Sequence, residues 1–430
     1  MRNPAQRIAR TALEKVRGDP DEILASELGY GFKKYREAFR RAEAGELPPF
    51  PLHLDVDVTT RCQLRCPICP AGAGGAGYPG MGLDLDPALY ARALEEGVPK
   101  GLSSVRIGVT GEPLLIDSPW LWVQEAAGRG IKDISLITNG QLLDEDAGRK
   151  IMEAGLTRLM ISVDAGTEEG YRLARPGGEL WRLEHNLLNF LFERKTRRRR
   201  LPLIRLSFVD REGAETERKR FRERFSPYAD YLTFQSYSPV VERGRLASAG
   251  GLAGLAASAA GTAASGALPA SGPIPASGAL PASGPIPASG ALPGAPAGAA
   301  AAHWCSEPFA RMCLYADGGL FPCCSDYGRL SPAGSMSGGT VEEAWHSHAS
   351  ALARVRGGPL HPSCALCRGL MDSGLKPLAA AAPPARRARG RKPSGPGRGP
   401  GAGRAGTEDA KPGDGGGPPA GISRGRPPAG

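Results

Sequence analysis

The chain has 430 residues, enough for two or three domains, and its nine cysteines, 60 glycines and 40 prolines are unevenly distributed. So few cysteines in so long a chain do not predict a disulfide scaffold, and their close spacings favour metal binding in a reducing cytosol. Neither a secretory signal nor a long apolar run is present, so we expect a cytoplasmic protein with no membrane partner.

The formal net charge of +10 comes mainly from the C-terminal tail. Residues 373–430 contain 11 Lys and Arg against 3 Asp and Glu, which leaves the rest of the chain close to neutral. The body therefore lacks the basic surface that typifies nucleic-acid binding. We expect no nucleic-acid partner unless this tail supplies the contact.

Residues 1–50 predict a helical N-terminal segment. The stretches "AQRIARTALEKV" and "KKYREAFRRAEAGEL" are both rich in helix formers, and three prolines between positions 48 and 51 end the region.

Residues 51–244 predict an α/β domain. Helical stretches such as "DPALYARALEEGV", "DEDAGRKIMEAG" and "RLEHNLLNFLFERK" alternate with β-rich runs. Those runs are "LHLDVDV" (52–58), "SSVRIGV" (103–109), "KDISLIT" (132–138), "RLMISVD" (158–164), "PLIRLSFV" (202–209) and "DYLTFQS" (230–236). Such alternation predicts parallel strands with right-handed crossovers, and six units suit a partial (β/α)6 TIM-like barrel. Chemistry in such folds lies at the C-terminal ends of the strands.

Two segments predict disorder because they cannot bury enough apolar surface to offset their ordering entropy. Residues 245–302 are an insertion rich in Ala, Gly, Ser and Pro, in which "GALPASGPIPAS" occurs twice in succession. Residues 373–430 form the basic tail. Between them, residues 303–372 predict a small Cys-rich α+β domain whose core a bound metal centre would help to hold together.

Three cysteines follow the first predicted strand of the α/β domain. Cys62, Cys66 and Cys69 have the spacing C-x3-C-x2-C, and thiolates on one short loop suit three irons of a cubane cluster. A closed zinc site needs a fourth protein ligand, and no histidine follows closely in the sequence. The pattern therefore favours an iron–sulfur cluster with one iron open.

The stretch "CQLRCPIC" resembles the cluster motif of the radical S-adenosylmethionine (SAM) enzymes. The resemblance implies a [4Fe-4S] cluster whose open iron binds SAM. An electron then cleaves SAM to methionine and a 5′-deoxyadenosyl radical, which abstracts hydrogen from a substrate. The resemblance also implies a partial (β/α)6 barrel and an electron donor such as flavodoxin or ferredoxin.

The stretch "TGEPLL" (110–115) is similar to the family's GGEP motif, with Thr110 in place of its first glycine. This likeness implies that Gly111, Glu112 and Pro113 meet the SAM amino group. In isolation the same residues would predict an ordinary tight turn.

Two further matches concern the nucleoside part of SAM. The resemblance implies that Ser162 and Asp164, in "ISVDAGTEEGYRLARPGG", contact the ribose, and that Ile68 lies near the adenine. Ser162 and Asp164 also suit the cap of the next helix.

The C-terminal cysteines resemble the opening of the SPASM and twitch extensions of radical SAM enzymes, where Cys305 precedes Gly318 and Cys323 at the family's spacing. The resemblance implies that Cys305, Cys323, Cys364 and Cys367 hold one auxiliary [4Fe-4S] cluster. The residues alone leave a four-cysteine zinc site open.

Two more cysteines lie in the same region. Cys324 is an alternative ligand to Cys323, which the spacing favours. Cys313 lies in the first arm of a predicted hairpin, "YADGGLFPC", and is interpreted as a small core residue.

We therefore expect a radical SAM enzyme that acts on a peptide, a protein or a small molecule. Two rival hypotheses are a non-catalytic zinc- or iron-binding scaffold and an RNA-modifying radical SAM enzyme tethered by its tail. No catalytic side chain that passes on the substrate radical is identifiable.

Overall fold

The computed structural model describes residues 11–69, 71–72, 80–211, 213–236, 305–324, 326, 329 and 332–354, all of them within one compact unit, Met1–Ala381. The predicted insertion, the predicted tail, Cys364 and Cys367 lie outside the described residues.

One mixed sheet organises the described residues. Its strands are β1 (Thr11–Lys15), β2 (His53–Val56), β3 (Ser104–Ile107), β4 (Asp133–Thr138), β5 (Arg158–Ser162), β6 (Leu203–Asp210), β7 (Tyr231–Ser236), β8 (Arg311–Leu314), β9 (Gly319–Phe321) and β10 (Gly334–Ser335). Strands β2 to β7 are parallel and lie side by side in chain order, as the six predicted β-rich runs require. The sheet order β1-β7-β6-β5-β4-β3-β2-β8-β9-β10 leaves it open, so the predicted α/β partial barrel is confirmed.

The helices connect and cover these strands. They are α1 (Pro20–Glu43), α2 (Pro87–Gly97), α3 (Trp120–Gly128), α4 (Glu145–Glu153), α5 (Glu168–Ala174), α6 (Leu180–Thr196), α7 (Glu215–Phe225), α8 (Val341–Trp345) and α9 (His348–Ala353). None of the helices in the described part of the chain is both long enough and apolar enough to cross a bilayer.

The predicted helix over "AQRIARTALEKV" is wrong at Thr11–Lys15. These residues form β1, which pairs antiparallel with β7 in the register Leu13↔Thr233. β7 would otherwise present an unpaired edge, and pairing that edge outweighs the local helix propensity. The second N-terminal prediction is confirmed, because α1 covers "KKYREAFRRAE".

The C-terminal cysteine region continues the same sheet. β8 pairs parallel with β2, and β9 returns antiparallel to β8 through a turn in which Gly318 has φ +80°. This is the hairpin predicted from "YADGGLFPC". The sequence gives no signal for the β2–β8 pairing, which brings residues 258 positions apart into Cα register.

The helix-facing side of the sheet is apolar. Alternate strand residues such as Leu54, Ile107, Leu136 and Leu206 have no exposed surface and pack with the helices in the main core. Because successive side chains point to opposite faces, the remaining residues line the inner side of the partial barrel. That side is polar and charged, and its members include Asp55, Arg106, Ser135, Arg158, Arg205, Thr233 and Cys313.

Helix α1 packs at the N-terminal ends of the strands. Its buried side chains Phe32, Tyr35 and Phe39 form a separate core with residues such as Leu203 and Tyr231, which begin β6 and β7. The inner side of the partial barrel is therefore covered at the N-terminal ends of the strands, opposite the end where the Cys62–Cys69 loop lies.

Candidate active site

The Cys62–Cys69 loop follows β2 and lies against the loop after β3. Thr59 and Arg61 accept backbone hydrogen bonds from Gly111 (3.1 Å) and Glu112 (2.8 Å). A Cβ atom on Gly111 would lie 2.2 Å from the Thr59 carbonyl oxygen, so only glycine allows this approach. The predicted "GEP" residues are thus brought directly to the base of the cysteine loop.

The three thiols differ in exposure. Cys66 is buried, whereas Cys62 and Cys69 are half-buried. Burial raises the pKa of Cys62 to about 11, and it raises the pKa of Cys66 and of Cys69 as well. Each thiolate therefore needs a positive partner, and a bound metal centre would supply one. This donor chemistry fits an iron–sulfur cluster.

Glu112 connects the ends of β3 and β4. Its carboxylate is buried and accepts hydrogen bonds from the Thr138 hydroxyl (2.6 Å), the Asn139 backbone N–H (2.7 Å) and the Leu114 backbone N–H (3.1 Å). Burial raises the pKa of this carboxyl. These hydrogen bonds link the loop after β3 to the C-terminal end of β4 through the Glu112 side chain.

Asn139, the residue directly after β4, reaches the cysteine loop. Its Nδ2 lies 3.8 Å from the Cys62 Sγ and donates to the Gln63 Oε1 at 3.3 Å. Gly140, the next residue, has φ +76°. The sequence did not assign Asn139 to the site, because its contact with the cysteine loop is long-range.

Arg175 connects the loop after β5 to the buried cysteine. Its guanidinium lies 3.9 Å from the Cys66 Sγ and 2.5 Å from the Asp164 carboxylate. The neighbouring backbone adds a second link, since Arg65 N–H donates to the Pro176 carbonyl at 2.9 Å. Sequence analysis missed Arg175, although its position before "PGG" in the β5 motif was the available signal.

The two predicted ribose residues have different environments. Asp164 is buried with φ +62°, and its carboxylate accepts from Arg175 and, at 2.8 Å, from the Val209 backbone N–H. Ser162 ends β5 on the inner side, half-buried, and its hydroxyl makes no hydrogen bond to another described residue. Of the two, only Ser162 has a side chain that the protein leaves available.

The remaining predicted residues also lie at this end of the sheet. Ile68 is half-buried between two of the cysteines, and Pro113 is buried at the start of a short 3-10 helix, Pro113–Leu115. Thr110, the departure from the family motif, donates its backbone N–H to the Asp57 carboxylate at 2.9 Å. Burial raises the pKa of Asp57 to about 6. Asp57 carries no signal in the sequence, because its role depends on the neighbouring loop.

The C-terminal cysteines form a second group on the inner side of the sheet. Ligand atoms of Asp55, Cys313 and Cys324 all lie within 4.8 Å of one another. Cys313 is fully buried, as a core residue would be, but its Sγ faces the Asp55 carboxylate at 3.8 Å. Cys323 is buried next to Cys324, and the choice between them as auxiliary ligand stays a prediction.

The family comparison matches this site. Residues 56–190 match the model of the radical SAM superfamily, a segment that begins in β2 and contains the cysteine loop, Glu112, Asn139 and Arg175. These residues are a radical SAM domain. Proteins of this family use a [4Fe-4S] cluster and SAM.

The radical SAM domain also has curated relatives. The chain is 34% identical over 136 residues to GTP 3′,8-cyclase of Alkaliphilus oremlandii, which is 30% of this chain and 39% of that protein. It is 42% identical over 113 residues to GTP 3′,8-cyclase of Mycobacterium marinum, which is 26% of this chain and 31% of that protein. The chain thus spans less than two fifths of the length of each of these two relatives.

Solved structures are similar at lower identity. Streptococcus suis SuiB bound to precursor peptide SuiA superposes with a TM-score of 0.48 at 12% identity, covering 74% of this chain and 69% of that one. BtrN in complex with AdoMet and 2-DOIA gives a TM-score of 0.40 at 15% identity, covering 72% of this chain and 87% of that one.

Proposed function

We propose that this protein is a radical SAM enzyme that cleaves SAM reductively and abstracts hydrogen from a peptide, a protein or a small molecule. The observation that carries the proposal is the three-cysteine loop at the C-terminal end of β2, inside the segment that matches the family model. Cys62, Cys66 and Cys69 would hold the [4Fe-4S] cluster. When bound, this cluster supplies the electron that splits SAM into methionine and a 5′-deoxyadenosyl radical.

The surrounding side chains position this loop and balance its charge. Three thiolates are anionic, and the Arg175 guanidinium at 3.9 Å from Cys66 offsets part of that charge. Asn139 orients the loop at Cys62. The backbone N–H of Asn139 in turn donates to the Glu112 carboxylate, which fixes the position of Asn139. The backbone carbonyls of residues 111–113 and the Ser162 hydroxyl are the groups that we propose for SAM.

We propose that a second, auxiliary [4Fe-4S] cluster is held by Cys305, Cys323, Cys364 and Cys367. Four protein ligands would leave no iron open, so this centre would transfer electrons or stabilise the region rather than bind SAM. The two centres would therefore differ in kind.

The test is anaerobic reconstitution of the full chain, followed by iron and sulfide analysis and by detection of 5′-deoxyadenosine after reduction with dithionite. The wild type should bind about eight irons, because each cluster contributes about four. The variant Cys62→Ala/Cys66→Ala/Cys69→Ala should keep about four irons and form no 5′-deoxyadenosine. A matched Cys364→Ala/Cys367→Ala variant should lose the other four.

Zinc without iron in the wild type would instead support the rival scaffold function. Unchanged 5′-deoxyadenosine formation in the triple variant would remove the assignment of the Cys62–Cys69 loop. We propose that a small redox protein such as flavodoxin or ferredoxin supplies the electron. Formation of 5′-deoxyadenosine when either protein replaces dithionite would support this.

A further inference from the structure

The inner side of the sheet holds four arginines, and three of them have carboxylate partners. Arg106 lies 2.6 Å from Asp55, Arg158 lies 2.9 Å from Asp133, and Arg311 lies 2.7 Å from Glu307. The fourth is Arg205, the third residue of β6. Among the described residues it makes no ion pair, and its Nε is buried without a hydrogen-bond partner.

The surroundings of Arg205 make this cation costly. Burial and, to a smaller extent, the nearby guanidiniums of Arg106, Arg158 and Arg311 lower its pKa to about 10, against an opposing effect of Tyr231. An unpaired guanidinium in a partly buried layer with three like charges loses hydration and gains repulsion. A stable protein keeps such a residue most readily where an anion arrives to pair with it.

A second unpartnered group lies on the next strand. Thr233, in β7, is 2% exposed, and its Oγ1 has no hydrogen-bond partner among the described residues. Its Cα partner on β6 is Ser207, two residues after Arg205, so the two side chains are diagonal neighbours on one face. Such neighbours lie about 7 Å apart, a span that one oxyanion with several oxygen atoms bridges.

This pair lies between the covered end of the barrel and the proposed SAM site. β6 carries Arg205 and, one inward-facing position nearer its C-terminal end, Ser207, which is the Cα partner of Ser162 on β5. A molecule that reaches Arg205 from the open end of the sheet therefore passes the proposed ribose contact. Arg205 lies where the far end of a substrate would lie.

We propose that Arg205 and Thr233 bind an oxyanion of the substrate, a carboxylate or a phosphate, on the inner side of the partial barrel. The guanidinium supplies charge-assisted hydrogen bonds, and the hydroxyl supplies one more donor. The inference rests on the proposed function in one respect, namely that the anion belongs to the molecule from which hydrogen is abstracted.

The test compares thermal unfolding of the reconstituted full chain in sodium chloride, sodium acetate and sodium phosphate at equal ionic strength. A ligand at about ten times its dissociation constant should raise the wild-type Tm by about 2–4 °C above the chloride value. Arg205→Met should lose this increment, Arg205→Lys should keep part of it, and Thr233→Val should reduce it. Arg222→Met, on the helix-facing side, is the control that should keep all of it.

In chloride, the direction of the Tm change separates a binding role of Arg205 from a structural one. Because Arg205 is unpaired, Arg205→Met in chloride should unfold at the wild-type Tm or above it. A response to phosphate alone identifies a phosphorylated substrate, and a response to acetate identifies a carboxylate. An Arg205→Met protein that unfolds earlier in chloride and keeps the anion increment overturns the proposal, as does a wild type that responds to neither anion.

This readout is independent of SAM cleavage. A wild type that gains the increment but forms no 5′-deoxyadenosine would overturn the proposed function and leave the anion site standing. A wild type that cleaves SAM and gains no Tm increment would overturn the anion site and leave the proposed function standing.

Discussion

The two faces of the central sheet belong to the same strands and have opposite chemistry. On the helix-facing side, Leu54, Ile107 and Leu136 belong to one continuous apolar core. On the inner side, the strands carry Asp55, Arg106 and Arg205, and the only charge among these three without a partner in the described chain is that of Arg205. One face therefore packs against the helices in the main core, and the other carries the polar groups that we propose for binding.

The largest expected effect concerns the helix-facing side. Leu136→Ala removes a side chain with no exposed surface from the main core, and should lower the free energy of unfolding by about 3 kcal/mol. Met160→Ala is the matched change on the inner side of the adjacent β5, where the residue lies outside that core, and should cost about half as much. Urea denaturation of both variants measures the difference.

Equal losses from Leu136→Ala and Met160→Ala would break the comparison, because the inner side would then contribute to stability as the helix-facing side does. A loss below about 1 kcal/mol for Leu136→Ala would have the same consequence.

The next effect concerns the contact between the cysteine loop and the loop after β3. Gly111→Ala would place a Cβ atom 2.2 Å from the Thr59 carbonyl oxygen and should disrupt two backbone hydrogen bonds, at 3.1 and 2.8 Å. At about 1 kcal/mol for each bond, the expected loss is about 2 kcal/mol. SAM affinity, measured by calorimetry on the reconstituted protein, should fall at least tenfold.

Gly128→Ala is the control for this prediction. Gly128 ends α3 on the surface, and an added Cβ atom would have no heavy atom within 4 Å apart from its chain neighbours and the backbone of its own helix. This variant should keep full SAM affinity and gain up to about 1 kcal/mol of stability. Unchanged SAM affinity in Gly111→Ala would show that the "GEP" turn does not contribute to SAM binding.

The sequence predicts the helix-facing side well, because burial of apolar residues at strand and helix periods is a local signal. All six predicted β-rich runs form strands, and "CQLRCPIC" and "GEP" are local motifs that lie together because parallel strands end at one edge. The charged inner side gave no such signal. Arg106, Arg158 and Arg205 look like ordinary charged positions until the register brings them onto one face.

Long-range pairing explains the other omissions. β1 forms a strand because β7 offers an edge, and Cys313 meets Asp55 because β8 pairs with β2. Arg175 and Asn139 join the site through contacts with cysteines 109 and 77 residues away in the chain. No local pattern encodes such contacts, so an α/β partial barrel is predictable while the partners of its cysteines are not.

The smallest expected effect tests a single hydroxyl on the inner side. Ser162 makes no hydrogen bond to another described residue, so Ser162→Ala should change the free energy of unfolding by less than about 0.5 kcal/mol. If the hydroxyl binds the ribose, the lost hydrogen bond of about 1 kcal/mol should weaken SAM binding about fivefold. Ser207→Ala is the control, because Ser207 is the Cα partner of Ser162 and its buried hydroxyl already donates to the Ile161 carbonyl at 3.4 Å. Ser207→Ala should lose stability and keep SAM affinity. If instead Ser207→Ala weakens SAM binding and Ser162→Ala does not, the ribose contact belongs to β6 and not to β5.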